Sequence, residues 1–184
     1  MNRILCLLIL LVLSYYPCAS AMVFTVDADL NSISPIYYQS GVIPLYSVAP
    51  LNTGLFLNPG DLLEISASGI WSNAPVGYNL IFGPNGNPNE NIVPTYPGAG
   101  YPVAALMGRI DNNSYFFIGN DYSNFVTQGG VLFLGFNDTD YGNNWGTVDA
   151  DVEISPVSAP IPAPATLSLF GLGLVVLAFN RSKR

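Results

Sequence analysis

One segment of the chain concentrates side chains that could bind a metal ion. It reads Asn137-Asp138-Thr139-Asp140-Tyr141-Gly142-Asn143-Asn144-Trp145-Gly146, and it places two carboxylates and two amides within the seven positions from Asp138 to Asn144. Calcium prefers about six to eight oxygen ligands from carboxylates, amides and backbone carbonyls. The composition fits a calcium-binding loop. It fits an ordinary turn equally well, because Asn, Asp and Gly favour turns through local hydrogen bonds.

The residue types that usually support enzymatic chemistry are missing. The chain has no histidine, and its two cysteines, Cys6 and Cys18, lie in an N-terminal segment that is expected to be removed. A nucleophilic serine would lack its usual base, and there is no Gly-x-Ser-x-Gly motif. Asp138 and Asp140 share one tight loop, whereas a glycosidase pair flanks the substrate bond at a separation of roughly 5 to 9 Å. The sequence therefore predicts a protein that is not an enzyme.

Aromatic residues near the loop have two interpretations. Trp145 directly follows the paired amides and could stack on the face of a sugar ring, while Tyr78, Tyr96 and Tyr101 could line a rim around it. In β-sandwiches such residues are more often packing residues with a polar tip at the surface. For Trp145 the two interpretations are evenly balanced, and for the tyrosines packing is favoured. Trp71 is expected in the core.

The segments around this loop predict β-strands. Thr147 to Ile154 alternates polar and apolar residues, which is typical of a half-buried strand. Val131 to Phe136 is a continuous apolar run and suits a strand buried on both faces. Further candidate strands are Leu62 to Ala67, Pro102 to Ile110 and Ser114 to Ile118. No helical apolar period is evident between Met22 and Pro160, so the fold class predicted is all-β, as a sandwich or a barrel.

The central part of the chain, about 22–160, is strongly acidic. It contains all twelve carboxylates and a single cation, Arg109, so its net charge is −11. Such a surface repels phosphate backbones, which excludes nucleic acid as a partner. The same carboxylates are free to bind divalent cations.

The first residues, 1–21, have the features of a secretory signal peptide. Arg3 supplies the positive charge, Ile4 to Leu13 the apolar stretch, and Ala19-Ser20-Ala21 a small-residue cleavage site. We expect signal peptidase to cleave there, so that the mature chain begins at Met22. The passenger domain is expected over residues 22–154.

The last residues, after a proline-rich spacer at 155–161, have the features of a membrane-retention segment. The apolar run Leu167 to Phe179 is followed by Arg181, Lys183 and Arg184. Cations after a hydrophobic helix stay in the cytoplasm and hold the helix in the bilayer. One interpretation is a simple C-terminal anchor, although these thirteen residues are short for a span of about 20.

Residues 162–184 resemble the PEP-CTERM sorting signal of Gram-negative bacteria that export polysaccharide. The resemblance is carried by Pro162-Ala163-Pro164, the Ala165-Thr166 pair, the apolar run and the basic end, with Ala163 at the position of the family's glutamate. It implies cleavage near the motif by an exosortase-type membrane protease. It also implies that a C-terminal helix anchors the protein in the inner membrane until processing, after which the protein reaches the cell surface or extracellular matrix. This sorting signal is favoured over the plain anchor.

The passenger resembles the LecA-like (PA-I type) galactophilic lectins over roughly Asn58 to Ile154. The motifs that carry this resemblance occur in the family's order: Asn58-Pro59-Gly60-Asp61, Ala67-Ser68-Gly69-Ile70-Trp71, Gly83-Pro84-Asn85-Gly86, Ala104-Ala105-Leu106-Met107-Gly108, and Asn137-Asp138 with Tyr141-Gly142-Asn143-Asn144-Trp145-Gly146. The resemblance implies a jelly-roll β-sandwich and a calcium ion that bridges protein and sugar. The metal ligands that it implies are the side chains of Asp138, Asn143 and Asn144 and the backbone carbonyls of Asp140 and Ala74.

The sequence departs from that family at two places in the site. The loop has two residues fewer between Asp138 and Tyr141, and the family's sugar-contacting histidine and glutamine have no counterparts. Glu90 lies near the histidine position. The sugar-contacting residues expected here are therefore Asp138, Asn143, Trp145 and Glu90.

Two functions from different classes follow. In the first, the chain is an exported, calcium-dependent carbohydrate-binding protein that engages extracellular polysaccharide or surface glycans. In the second, it is a structural matrix or surface protein in which calcium only stabilises the loop and no sugar is bound. Both predict calcium binding, and they differ in whether a glycan is bound.

Overall fold

The computed structural model describes residues 21–34, 48–92 and 97–156. Most of the expected signal peptide, the spacer beyond Pro156, the sorting motif and its hydrophobic segment lie outside these residues. Within the described residues, no helix is long and apolar enough to cross a membrane. Eight strands make up the regular structure there: β1 Met22–Asp27, β2 Leu51–Leu57, β3 Leu62–Ser72, β4 Leu106–Ile110, β5 Phe116–Phe117, β6 Asp121–Phe125, β7 Gly130–Phe136 and β8 Trp145–Ser155.

The strands form two four-stranded antiparallel sheets, with orders β1-β8-β3-β6 and β2-β7-β4-β5. In the first sheet, β3 pairs with β8 along its whole length, from Leu62 opposite Ser155 to Ser72 opposite Trp145. The chain passes from one sheet to the other between β7 and β8. The residues of that crossing, 137–144, are the loop that the sequence identified as a candidate metal site. The all-β sandwich prediction is confirmed.

The core lies between the two sheets, and the alternation of the strands produces it. Val148, Ala150 and Val152 of β8 are fully buried, while Asp149 and Asp151 between them are exposed, as the sequence pattern predicts. Trp71 of β3 is also fully buried, packs edge-on against Phe136 of β7 at 4.7 Å between ring centroids, and fulfils its core prediction.

Strand β7 differs from its prediction on one face. Leu132, Leu134 and Phe136 are fully buried in the core, but Val131 and Phe133 on the other face are only half-buried. The guanidinium of Arg109 lies 5.1 Å from the centre of the Phe133 ring, so a cation covers part of that face.

Strand β4 is shorter than its prediction. The extended ladder begins at Leu106 rather than Pro102, and Ala104 has a φ of 60°. A non-glycine residue at positive φ leaves the extended conformation, so the regular ladder begins after Ala104. The distortion directs the Ala104 carbonyl to accept a hydrogen bond from the Trp71 indole Nε1, at 2.8 Å. Strands β1, β2 and β6 were not predicted from the sequence.

Candidate functional site

The crossing loop begins at a rigidly held residue, Asn137. This residue is fully buried, its N–H donates to the Ala105 carbonyl at 2.9 Å, and its carbonyl accepts the Ala104 N–H at 2.6 Å. Its side-chain amide donates to the Pro102 carbonyl at 2.8 Å. The start of the loop is therefore fixed against the irregular segment before β4.

The N-terminal segment that follows β1 holds the middle of the loop. The Gly142 N–H donates to Oδ1 of Asp29 at 2.6 Å, and the Ser34 hydroxyl donates to the Thr139 carbonyl at 2.6 Å. These contacts join residues more than one hundred positions apart in the chain. No role was predicted for this segment, because nothing in its local pattern indicates a partner so distant.

Asp138 is the most buried carboxylate of the loop, at 3 % exposure. Its Oδ1 accepts the Thr139 N–H at 2.6 Å, and its Oδ2 is buried without a hydrogen-bond partner. Burial, with a smaller contribution from the charge of Asp140, raises the pKa of Asp138 from 3.8 to about 7, and hydrogen bonding from Thr139 opposes the rise. A positive charge beside Asp138 would favour its ionised form.

The paired amides of the loop also carry unsatisfied oxygens. Oδ1 of Asn143 and Oδ1 of Asn144 are both buried without a hydrogen-bond partner. Oδ1 of Asn137 is unpaired as well, so the loop contains four such atoms. A buried polar atom left unpaired costs about 1 to 3 kcal/mol, so the three on Asp138, Asn143 and Asn144 call for an explanation. A hard cation would satisfy all three, and carboxylate with amide oxygens is a donor set that suits calcium. These residues fit the ion that the resemblance implies.

The two expected carbonyl ligands already accept hydrogen bonds within the protein. The Asp140 carbonyl accepts Nδ2 of Asn144 at 3.3 Å, which leaves a second lone pair free, and burial raises the pKa of the Asp140 carboxyl. The Ala74 carbonyl accepts the Ser72 hydroxyl at 3.2 Å. Each of these carbonyl oxygens keeps a second lone pair that could coordinate a cation.

Asn73 is a candidate ligand that the sequence reasoning missed. Its Oδ1 is buried without a hydrogen-bond partner. The ladder between β3 and β8 ends with Ser72 opposite Trp145, and continuing that register by one position places Asn73 opposite Asn144. The sequence signal that could have found Asn73 is its position just after strand β3 and next to Ala74, whose carbonyl is an expected ligand.

The expected sugar-contacting residues lie in different surroundings. Trp145 is partly exposed at the start of β8, and its indole Nε1 is buried without a partner. Glu90 is exposed, and its carboxylate accepts the Asn87 amide at 3.4 Å within its own loop. The Glu90 carbonyl accepts the N–H of Val103, so this loop borders the segment that holds Asn137.

The tyrosines proposed as a rim separate into different roles. Tyr78 is 64 % exposed, which leaves its ring accessible. Tyr101 stacks on Phe117, with 6.2 Å between ring centroids, and packs against the buried residues Ile33, Ala105 and Met107. Tyr101 is therefore a packing residue, and Tyr96 lies outside the described residues.

Carboxylates alone do not make a metal site in this protein. Over residues 21–34, 48–92 and 97–156, no group of three or more His, Cys, Asp or Glu side chains is placed to hold a metal ion. A cation at the crossing loop would therefore depend on the amide and backbone oxygens in addition to Asp138.

Comparison with protein families identifies the C-terminal end of the chain. Residues 160–184 match the PEP-CTERM protein-sorting motif. The chain carries a PEP-CTERM sorting signal. This signal indicates an exported protein of Gram-negative bacteria, held at the membrane through its C-terminus until it is processed. The predicted sorting residues Pro162, Ala163 and Pro164 fall within the matched residues.

Comparison with solved structures supports the fold of the passenger. A structure described as "EclA N-terminal domain; PllA-like lectin" superposes with a TM-score of 0.50 and 24 % sequence identity, over 72 % of this chain and 95 % of that chain. The similarity shows that the passenger shares the β-sandwich fold of that domain. No curated protein matches the sequence.

Proposed function

We propose that this chain is an exported, calcium-dependent carbohydrate-binding protein of the lectin type, and that it acts without catalysing a reaction. The observation that carries the proposal is the set of unpaired buried oxygens on Asp138, Asn143 and Asn144, in the loop that crosses between the sheets. The lectin-like fold and the PEP-CTERM signal support it.

Each residue of the loop would have a distinct part in this function. Asp138 provides one negative charge, which offsets half the charge of a divalent cation, while Asn143 and Asn144 provide neutral oxygens that are buried. Calcium, when bound, would offer open coordination positions to sugar hydroxyls. The partly exposed ring of Trp145 is adjacent and suits contact with the apolar face of a pyranose.

The partners in this proposal follow from the sorting signal and the fold. Signal peptidase would remove the N-terminal segment, and an exosortase-type protease would process the C-terminus at the inner membrane. The glycan would be an extracellular polysaccharide or a cell-surface glycan. Many copies displayed in a matrix would raise the avidity of a weak single site.

One observation favours the second candidate, a structural surface protein without a glycan ligand. The loop is tied to the N-terminal segment through Asp29 and Ser34, and Asn144 donates to the Ala28 carbonyl at 3.3 Å. A cation bound there would stabilise the fold even if no sugar ever reached it.

The calcium step is tested by thermal unfolding of the full chain in a polyoxyethylene detergent, which contains no sugar. A ligand present at 100 times its Kd stabilises the folded state by about 2.7 kcal/mol, so calcium should raise the melting temperature above that in chelator. Asp138→Ala should abolish the rise, whereas the matched change Asp149→Ala, on the exposed face of β8, should retain it. A melting temperature that is the same in calcium and chelator would refute the proposal.

The sugar step is tested with a glycan array and calcium present. Trp145→Ala should weaken glycan binding and leave the calcium-dependent rise in melting temperature intact, because the indole would contact sugar rather than metal. Calcium binding without retention of any glycan would favour the structural protein.

A further inference from the structure

A cleft lies at the opposite end of the sandwich from the crossing loop. It has a volume of ≈ 470 Å³, within the range of ligand-binding sites, and it opens between the edge strands β5 and β6. Leu63, near the start of β3, lines it, whereas Ser72 at the end of that strand borders the crossing loop. These two residues are nine positions apart along the strand, which spans about 30 Å, so the cleft and the loop are separate sites.

The lining of this cleft contains no charged residue. Six of its eleven residues have a neutral hydroxyl or amide side chain: Asn113, Ser114, Tyr122, Asn124, Thr127 and Gln128. The others are apolar. The outer face of the neighbouring β3–β8–β6 sheet differs sharply, since Glu64, Asp121, Asp151 and Glu153 line a hollow there. An anionic polymer would be repelled by that face, but an uncharged ligand would not.

Aromatic rings give the cleft flat apolar surfaces. Phe116 and Tyr122 meet at its edge, with 4.9 Å between ring centroids and 30° between ring planes. Phe125, on β6, lines the same cleft and is 63 % exposed. Burial raises the pKa of Tyr122, and the nearby Asn124 side chain opposes that rise, so the phenol remains a neutral donor and acceptor.

We infer that this cleft binds a neutral oligosaccharide independently of calcium. A hexose has apolar C–H faces and polar hydroxyl groups, and the cleft has groups that match both. The aromatic rings would cover the C–H faces, and the amide and hydroxyl side chains would form hydrogen bonds with the sugar hydroxyls. A purely apolar ligand would displace water from these largely exposed polar side chains without replacing its hydrogen bonds. Together with the crossing loop, the cleft would give one chain two glycan contacts at opposite ends, which suits cross-linking of a polysaccharide.

The test measures binding by titration calorimetry in chelator, with the full chain in polyoxyethylene detergent. The probes are neutral tetrasaccharides of glucose, galactose and mannose, with an alginate tetrasaccharide as the anionic comparison. We expect at least one neutral probe to bind and the alginate probe not to bind. Phe125→Ala and Gln128→Ala should each weaken binding by at least about fivefold. Both side chains are exposed, so these variants should fold normally.

Two control variants locate the binding. Phe56→Ala removes a phenylalanine ring of nearly equal exposure, 62 % against 63 % for Phe125, outside the cleft. Asp149→Ala removes an exposed carboxylate outside the cleft. Both should bind the neutral probe within twofold of the unaltered chain. The inference is overturned if no neutral probe binds in chelator, if Phe125→Ala binds as tightly as Phe56→Ala, or if the alginate probe binds as tightly as the neutral ones. Because calcium is absent, these results are independent of the calcium-loop proposal.

Discussion

Asp138 is the residue on which the chemistry of the crossing loop depends. Its carboxyl has one hydrogen-bonded oxygen and one unpaired oxygen, both out of reach of bulk water. With a pKa of about 7, it is divided between the neutral and the ionised form near physiological pH. A proton and the proposed calcium ion would therefore compete for Asp138.

This competition predicts a pH-dependent stability in chelator. Because the folded state has the higher pKa, Asp138 contributes full stability below its unfolded value of 3.8, and that contribution is lost as the pH rises to about 7. The whole loss would be on the order of 4 kcal/mol. Urea unfolding between pH 5 and 8 should show the chain losing stability relative to Asp138→Asn, which cannot ionise.

Calcium provides the second half of this experiment. At saturating calcium the bound ion offsets the charge of ionised Asp138. The free energy of unfolding should then no longer fall between pH 5 and 8. If the chain and Asp138→Asn follow parallel curves in chelator, then Asp138 does not titrate as its burial predicts.

The residues of the loop show how far side-chain chemistry can be predicted from sequence. Composition alone did not distinguish a calcium loop from a turn. In an ordinary turn, side-chain oxygens accept nearby N–H groups, as Oδ1 of Asp138 does with Thr139. Oδ1 of Asn143 and Oδ1 of Asn144 do not, and only the folded structure reveals that.

At the level of elements, the loop is positioned by segments far from it in sequence. It spans the two sheets between β7 and β8, and residues after β1 clamp its middle through Asp29 and Ser34. A loop held in this way loses little conformational entropy when a ligand binds, because its backbone is already ordered.

The clamp predicts an effect of Asp29 on calcium affinity. Asp29→Ala removes the acceptor of the Gly142 N–H, and a hydrogen bond to a charged group contributes about 1.5 to 3 kcal/mol, so calcium should bind at least about tenfold more weakly. Calorimetric titration of calcium measures the change. Asp29→Asn keeps an acceptor oxygen and should recover part of the affinity.

Asp149→Ala is the matched control for this clamp. Asp149 accepts the Thr25 hydroxyl at 2.6 Å, so it also joins the N-terminal strand to β8, but at the exposed surface and away from the loop. It should leave calcium affinity unchanged. Equal losses in Asp29→Ala and Asp149→Ala would mean that general destabilisation, not the clamp, causes the effect.

The strands differ in how well the sequence predicts them. Strands β7 and β8 have clear apolar patterns, because a core covers one face of each. Strand β6 is almost entirely exposed, and β2 contains Gly54 at a φ of 70° and a break in register before Phe56. Strand β6 forms by pairing with β3, and β2 forms by pairing with β7. The identity of a pairing partner is not visible in the local sequence of either strand.

At the scale of the whole molecule, two ends of one sandwich and a C-terminal sorting signal would have separate tasks under these proposals. The crossing loop lies at one end, the uncharged cleft at the other, and acidic side chains cover the sheet between them. The PEP-CTERM signal at residues 160–184 delivers this unit to the outside of the cell.

The variant sorting motif predicts slow processing. We expect Ala163→Glu, which restores Pro-Glu-Pro, to raise the processed fraction several-fold, because the carboxylate supplies the charge at the family's recognition position. Immunoblotting of membrane and secreted fractions measures the change in size and location. Ser158→Glu adds the same charge outside residues 160–184 and should have no effect. Equal processing of all three chains would show that the carboxylate is not recognised.

The sequence by itself determined the features that depend on local pattern and composition. Apolar alternation specified the strands that face the core, and the sorting signal is recognisable as a linear motif. Only the tertiary structure decided which polar atoms remain unpaired at the crossing loop, that Asp29 and Ser34 hold it, and that β5 and β6 frame a cleft. The physical reason is that burial and long-range hydrogen bonding arise between segments distant in sequence, and no local pattern encodes them.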